Sequence, residues 1–138
     1  MKEKLKPVPK ESMGELQYRN IGALRLSNTK CAPCGGTGLL VSPNLVLTVA
    51  HNIFNRGSKQ INKIIFYPGQ CEELVEANAY EVEDFFFPGA FTTRNSNFYD
   101  YALLKLNKPI AGASNFMKLS GAIDKIDEKT KLSIYGYP

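Results

Sequence analysis

The chain has 138 residues, 43% of them hydrophobic and 22% charged, and a net charge of +4. That length suits one domain of ordinary size, and the composition excludes global disorder. No run is apolar for long enough to span a membrane, and the mild charge gives no footprint for nucleic acid.

The N-terminal stretch alternates Lys2, Lys4, Lys6 and Lys10 with Pro7 and Pro9. It reads as a flexible, solvated basic tail over residues 1–16, without the arginines and interleaved aromatics of a nucleic-acid arm. Charge and proline interrupt it throughout, so it has no apolar core of a signal peptide. As written the protein is expected in the cytoplasm; it would be secreted if the true N-terminus lies further upstream.

From residue 17 onward the pattern is all-β. Ile21 to Leu26 alternates loosely and ends at the turn signal Ser27-Asn28. Cys31-Ala-Pro-Cys34 has the spacing of redox motifs and of half a zinc site, but no βαβ unit or second ligand pair accompanies it. It is predicted to be a tight turn, and no metal or cofactor is implied. With Cys71 the cysteines number three, so they cannot all pair within one chain.

Thr37 to Val41 and Leu45 to Val49, separated by Ser42-Pro43-Asn44, are predicted to form a hairpin. A single helical turn is expected around Asn52 to Asn55. Further strands are expected at Asn62 to Tyr67, stopped by Pro68-Gly69, within Ala77 to Phe87, and at Tyr101 to Leu106. Thr92 to Asn97 reads as a loop and Ser114 to Leu119 as an outward connection. Asp124 to Lys131 fits a loop or a helical turn, and Lys131 to Tyr137 fits the start of one more strand. Short strands separated by turn signals point to a sandwich or barrel.

His51, the only histidine in the chain, follows the apolar run Val46-Leu47-Thr48-Val49-Ala50. A histidine where a strand turns can combine a fixed backbone with an accessible ring, as a general base requires. Taken alone it reads more readily as an ordinary loop histidine. Asp100 opens the apolar run Tyr101 to Leu106, where a carboxylate is partly shielded and must be paired to stay charged. By itself it could be a turn residue.

Together the two blocks carry a resemblance. Gly36-Thr37-Gly38-Leu39-Leu40-Val41-Ser42-Pro43-Asn44-Leu45-Val46-Leu47-Thr48-Val49-Ala50-His51 is similar to the histidine block of chymotrypsin-like serine proteases. Tyr99-Asp100-Tyr101-Ala102-Leu103-Leu104-Lys105-Leu106 resembles their aspartate block, at a similar separation. Tyr18-Arg19-Asn20-Ile21-Gly22-Ala23-Leu24 resembles the first strand of the branch that includes glutamyl endopeptidases. Tyr135-Gly136-Tyr137-Pro138 resembles the Gly-Tyr-Pro with which that branch begins its second barrel.

The resemblance implies an antiparallel Greek-key β-barrel over residues 17–138, the first of two, truncated at the start of the second. It implies a serine-type endopeptidase acting on polypeptides, with His51 as general base and Asp100 orienting it. No serine stands in a Gly-Asp-Ser-Gly-type loop; Ser120-Gly121 is the nearest imitation, flanked by Leu119 and Ala122. The nucleophile, oxyanion hole and specificity pocket are therefore expected from a second barrel, in the same longer chain or a separate one, and this chain alone is expected to be silent. The disulfide that trypsin-like members often place beside the histidine is not matched, because Asn52 follows His51. The same missing serine leaves open a non-catalytic pseudo-protease half that binds a protein partner.

Overall fold

The computed structural model describes residues 6–12, 15–28, 31–54, 63–69, 78–94, 97–121 and 126–137. Six described strands close into one antiparallel barrel: β1 (Ile21–Asn28), β2 (Cys31–Ser42), β3 (Leu45–Thr48), β4 (Lys63–Pro68), β5 (Tyr80–Phe86) and β6 (Ala102–Leu106). Around the barrel the order is β1-β2-β3-β6-β5-β4, with β4 returning to pair with β1. The all-β barrel read from the sequence is thus the observed fold. Among the described residues its helices are short: α1 (Leu16–Arg19), α2 (Gly89–Thr93) and 3-10 turns that include Lys10–Ser12, Ala50–Asn52 and Asn97–Tyr99. No helix among the described residues is long and apolar enough to cross a membrane.

Alternation places the core. Leu24 and Leu26 of β1, Leu40 of β2, Val46 of β3, Ile64 and Phe66 of β4, and Ala102, Leu104 and Leu106 of β6 point inward and are buried together. A strand presents every second side chain to one face, so a half-buried strand must alternate in this way. Closing the barrel also needs small residues where walls approach. A Cβ on Gly22 would lie 2.3 Å from the Phe66 ring, and one on Gly38 would lie 2.5 Å from Val46.

Several expectations shift. Cys31 and Cys34 do not form a tight turn: β2 begins at Cys31, and Cys34 pairs with Leu26 of β1. Ladder pairing to β1 extends the strand through a stretch whose proline and glycines give no strand signal. Cys71 lies outside the described residues, as do Asn55, Asn62 and Ala77. The helical turn begins at Ala50, two residues before its expected start. Tyr18 and Arg19 belong to α1 instead of the first strand. Thr92 and Thr93 belong to α2 instead of a loop and turn their hydroxyls back to the Gly89 carbonyl, and buried Phe91 anchors the helix.

Lys131 to Tyr137 forms no strand; the stretch is irregular and mostly exposed. Within the described part of the Asp124 to Lys131 region, Asp127 accepts hydrogen bonds from the Lys129 N–H at 2.9 Å and the Thr130 hydroxyl at 3.0 Å, closing a turn. Ser114 to Leu119 is irregular, as expected for a connection. Buried Asn20 holds its start through the Asn115 carbonyl at 3.2 Å.

Candidate active site

The barrel register brings the histidine and aspartate blocks together. Thr48, the last residue of β3, pairs with Ala102, the first of β6. The strands are antiparallel, so the chain leaving β3 and the chain entering β6 lie at the same barrel end. His51 stands just beyond Thr48 and Asp100 just before Ala102, so 49 residues of sequence separation collapse to hydrogen-bond distance.

The turn bearing His51 is pinned from below and from the side. Ala50 and Ile53 are buried beneath it, and the Ile53 and Phe54 N–H groups both donate to the Ala50 carbonyl at 2.9 Å. Phe54 packs on Phe87 with ring centroids 5.7 Å apart and edge-on to buried Phe91 at 6.4 Å. Offset and edge-on aromatic contacts of this kind add to the burial of the rings themselves. On the other strand, the 3-10 turn Asn97–Tyr99 delivers Asp100, whose N–H donates to the Asn97 carbonyl at 3.2 Å.

Asp100 grips His51 with both carboxylate oxygens. Oδ2 lies 2.6 Å from the imidazole Nδ1, and Oδ1 accepts the His51 backbone N–H at 2.9 Å. A carboxylate accepts only, so Nδ1 carries the proton and Nε2 of the neutral ring is left with its lone pair. The side chain of Asp100 is 19% exposed, whereas that of His51 is 63% exposed. Thus the acid is shielded and the base is open.

Burial alone would push the Asp100 carboxyl up. Hydrogen bonds from the His51 ring and backbone, the charge interaction with the ring, and the Ala50 backbone outweigh it and hold the carboxyl below the ordinary aspartate value. Asp100 is therefore anionic across the neutral range. An anion fixed at Nδ1 sets the tautomer and favours a positive ring when Nε2 takes a proton. The pair can accept a proton at Nε2 and return it. Ser120 lies apart from the pair in sequence setting, in the irregular, exposed stretch after β6.

The sequence did not point to two further features of this site. The double grip through the His51 backbone N–H follows from the tightness of the turn, which residue identities alone do not give. The second is a strut from Asn52, whose side-chain amide donates to the Thr48 hydroxyl at 3.3 Å. The signal for it was Gly36, where a Cβ would stand 2.7 Å from the Asn52 amide nitrogen.

No protein-family model matches the chain, and no curated protein sequence does. Solved structures do match. A Glu endopeptidase in complex with MPD is similar with a TM-score of 0.64 at 21% identity, over 79% of this chain and 48% of that one. A thermostable serine protease from an extremophilic microorganism gives 0.58 at 18% identity, over 67% and 44%. The protease Anisep from Arthrobacter nicotinovorans gives 0.53 at 17%, over 68% and 43%. The class defined by this likeness is a fold: a barrel of the chymotrypsin-like protease type. The chain spans a little under half the length of the structures it matches.

Proposed function

We propose that the chain is the first barrel of a serine endopeptidase, with His51 as general base and Asp100 as the residue that orients it. The observation that carries this reading is the two-pronged contact of Asp100 with His51 at the mouth of the barrel. A hydrogen bond to the ring alone could be incidental; one that also fixes the backbone holds ring and tautomer in one geometry. The barrel likeness supports the reading, and the Tyr18 to Leu24 and Gly-Tyr-Pro blocks favour the glutamyl-endopeptidase-like branch.

In this reading a second barrel, within a longer chain or from a separate one, supplies the serine and the oxyanion hole. His51 Nε2 takes the proton from the serine hydroxyl as its oxygen attacks the peptide carbonyl carbon. The C–N bond breaks as the imidazolium returns that proton to the leaving amine. Water then enters by the same route and releases the acyl group as a carboxylic acid. Asp100 keeps its charge throughout and stabilises the imidazolium. The substrate is a polypeptide, and the 138-residue chain by itself is silent, because the largest stabilising term sits with the oxyanion hole.

The test is the coding sequence beyond Pro138, followed by labelling of its protein product with a fluorophosphonate. A downstream Gly-Asp-Ser-Gly loop whose serine takes the label is the expected result. A product with no such loop and no label would leave the pseudo-protease reading, a partner-binding half, in its place.

A further inference from the structure

Two sequence motifs that the proposed chemistry does not use meet on the barrel wall beside it. Gly136-Tyr137 lies across Thr37 of β2, 100 residues away in sequence. The Tyr137 N–H donates to the Thr37 hydroxyl at 2.8 Å, and that hydroxyl lies 3.4 Å from the Tyr137 carbonyl, to which it donates. On the other side of the same residue, the Thr37 carbonyl accepts the Thr48 hydroxyl at 2.8 Å. The Thr48 hydroxyl in turn accepts the Asn52 amide at 3.3 Å. Asn52 is the neighbour of His51 in the 3-10 turn.

We propose that Thr37 is a positioning residue: through Thr48 and Asn52 it couples the seating of the Gly136-Tyr137 segment to the turn that carries His51. The inference rests on the reading of His51 as a base and deepens it.

Three features favour a mechanical link over a chance run of contacts. First, the Thr37 hydroxyl clamps one residue, Tyr137, as both donor and acceptor. The Thr48 hydroxyl bridges two, donating to Thr37 and accepting from Asn52, so it cannot rotate to suit one without leaving the other. Second, Thr48 is only 8% exposed, so water does not readily replace a lost partner there. Third, glycines open both ends. A Cβ on Gly36 would stand 2.7 Å from the Asn52 amide nitrogen, and one on Gly136 would stand 3.2 Å from the Thr37 hydroxyl. Residues with side chains at these points would wedge the joints apart. The Thr48 joint also sits on the rung Thr48–Ala102, next to Asp100. A shift of Asn52 therefore turns the ring against a carboxylate held by a separate element.

The consequence is that the C-terminal segment reports to the base. When Tyr137 is seated on Thr37, the chain of bonds is complete and Nδ1 faces Asp100. When it lifts, the Thr37 hydroxyl loses both of its bonds to Tyr137, and the strain or slack passes through the Thr37 carbonyl to Thr48 and on to Asn52.

The chain has one histidine, so its Nδ1–H gives a single downfield proton resonance, observable in the 138-residue protein without any enzymatic activity. Four variants are compared with the parent. Asn52→Ala is expected to move that resonance upfield and weaken it by exchange with water. Thr37→Val, which removes only the hydroxyl, is expected to move it in the same direction by less. Thr37→Ser is expected to restore the parent position. Tyr137→Pro deletes the N–H donor outside the barrel and is expected to reproduce Thr37→Val.

The proposal is overturned if Tyr137→Pro remains folded and leaves the resonance at the parent position. Should Thr37→Val fail to fold, Tyr137→Pro decides alone. A histidine signal that responds as expected, beside a full-length product that carries its serine and cuts no peptide, would keep the coupling and sink the protease reading. An unresponsive signal beside an active full-length enzyme would do the reverse.

Discussion

The barrel and the segment that follows it are built on opposite terms. From Ile21 to Leu106, strands pair around a full circle and the inward side chains cover one another; Val46, Phe66 and Leu104 have no exposure. From Asn107 onward the described chain has no strand, and Leu119, Leu132 and Ile134 are 69%, 72% and 92% exposed. The segment is nevertheless attached at defined points: Asn20 to Asn115, Tyr18 edge-on to Tyr135 at 5.1 Å, and Thr37 to Tyr137. Stability and attachment are thus separate properties here. The barrel supplies its own core, whereas the segment is held by polar and aromatic contacts while presenting apolar side chains to solvent. That pattern fits a surface written for further protein, in line with the proposed second barrel.

The largest effect short of removing His51 itself is expected at the barrel mouth in the full-length product: Asp100→Asn should lower kcat for peptide hydrolysis by about 10^4-fold, because the amide favours the wrong tautomer of His51. Steady-state kinetics measures it. Within the barrel, Phe66→Ala should cost about 3–5 kcal/mol, since its ring fills the centre and nothing collapses around it easily. Urea denaturation reads this directly, and a loss under 1 kcal/mol would mean the core is not where the burial places it.

Gly22→Ala should cost about 1–3 kcal/mol by overpacking. The added methyl meets the Phe66 ring and also the Tyr67 carbonyl oxygen at 2.7 Å, which is backbone and cannot step aside. In the segment, Leu132→Ser and Ile134→Ser should change stability by no more than about 0.5 kcal/mol, while reducing self-association in sedimentation. Destabilisation comparable to that of Phe66→Ala would erase the contrast between the two regions.

A small effect is expected in acid. The folded-state pKa of Asp100 is depressed, so its contribution is present in full above the unfolded value of about 3.9 and is lost as pH falls through the lower folded value. Asp100→Asn should therefore flatten that part of the acid limb in a pH series of thermal melts. An unchanged limb would mean the His51 contacts do not hold the carboxylate.

Much of the barrel was legible because apolar runs of strand length bounded by turn residues, as at Leu45 to Thr48 and Ala102 to Leu106, read as strands; the clean alternation that buries Val46 and Leu104 shows only in the fold. Legibility failed where tertiary pairing overrode local signals. Cys31 to Gly36 carries proline and glycine yet is strand, because β1 offers a complete ladder to it. Leu132 to Tyr135 carries strand-forming residues yet is irregular, because no described strand pairs with it. His51 and Asp100 could be named from their blocks. Their meeting required the Thr48–Ala102 rung, which depends on barrel closure and so is not written in either block. The Thr37–Thr48–Asn52 strut was hidden for the same reason, as its partners come from β2, β3 and the turn beyond.

The proposed function stands or falls on His51 acting as a base. The most direct measurement is the rate of polypeptide hydrolysis by the full-length gene product with and without His51→Ala, under conditions where both proteins are folded. The parent is expected to cleave and the variant to lose about 10^6-fold in kcat. A parent that cleaves equally well after His51 is removed, or one that never cleaves although its serine is present and accessible, would contradict it.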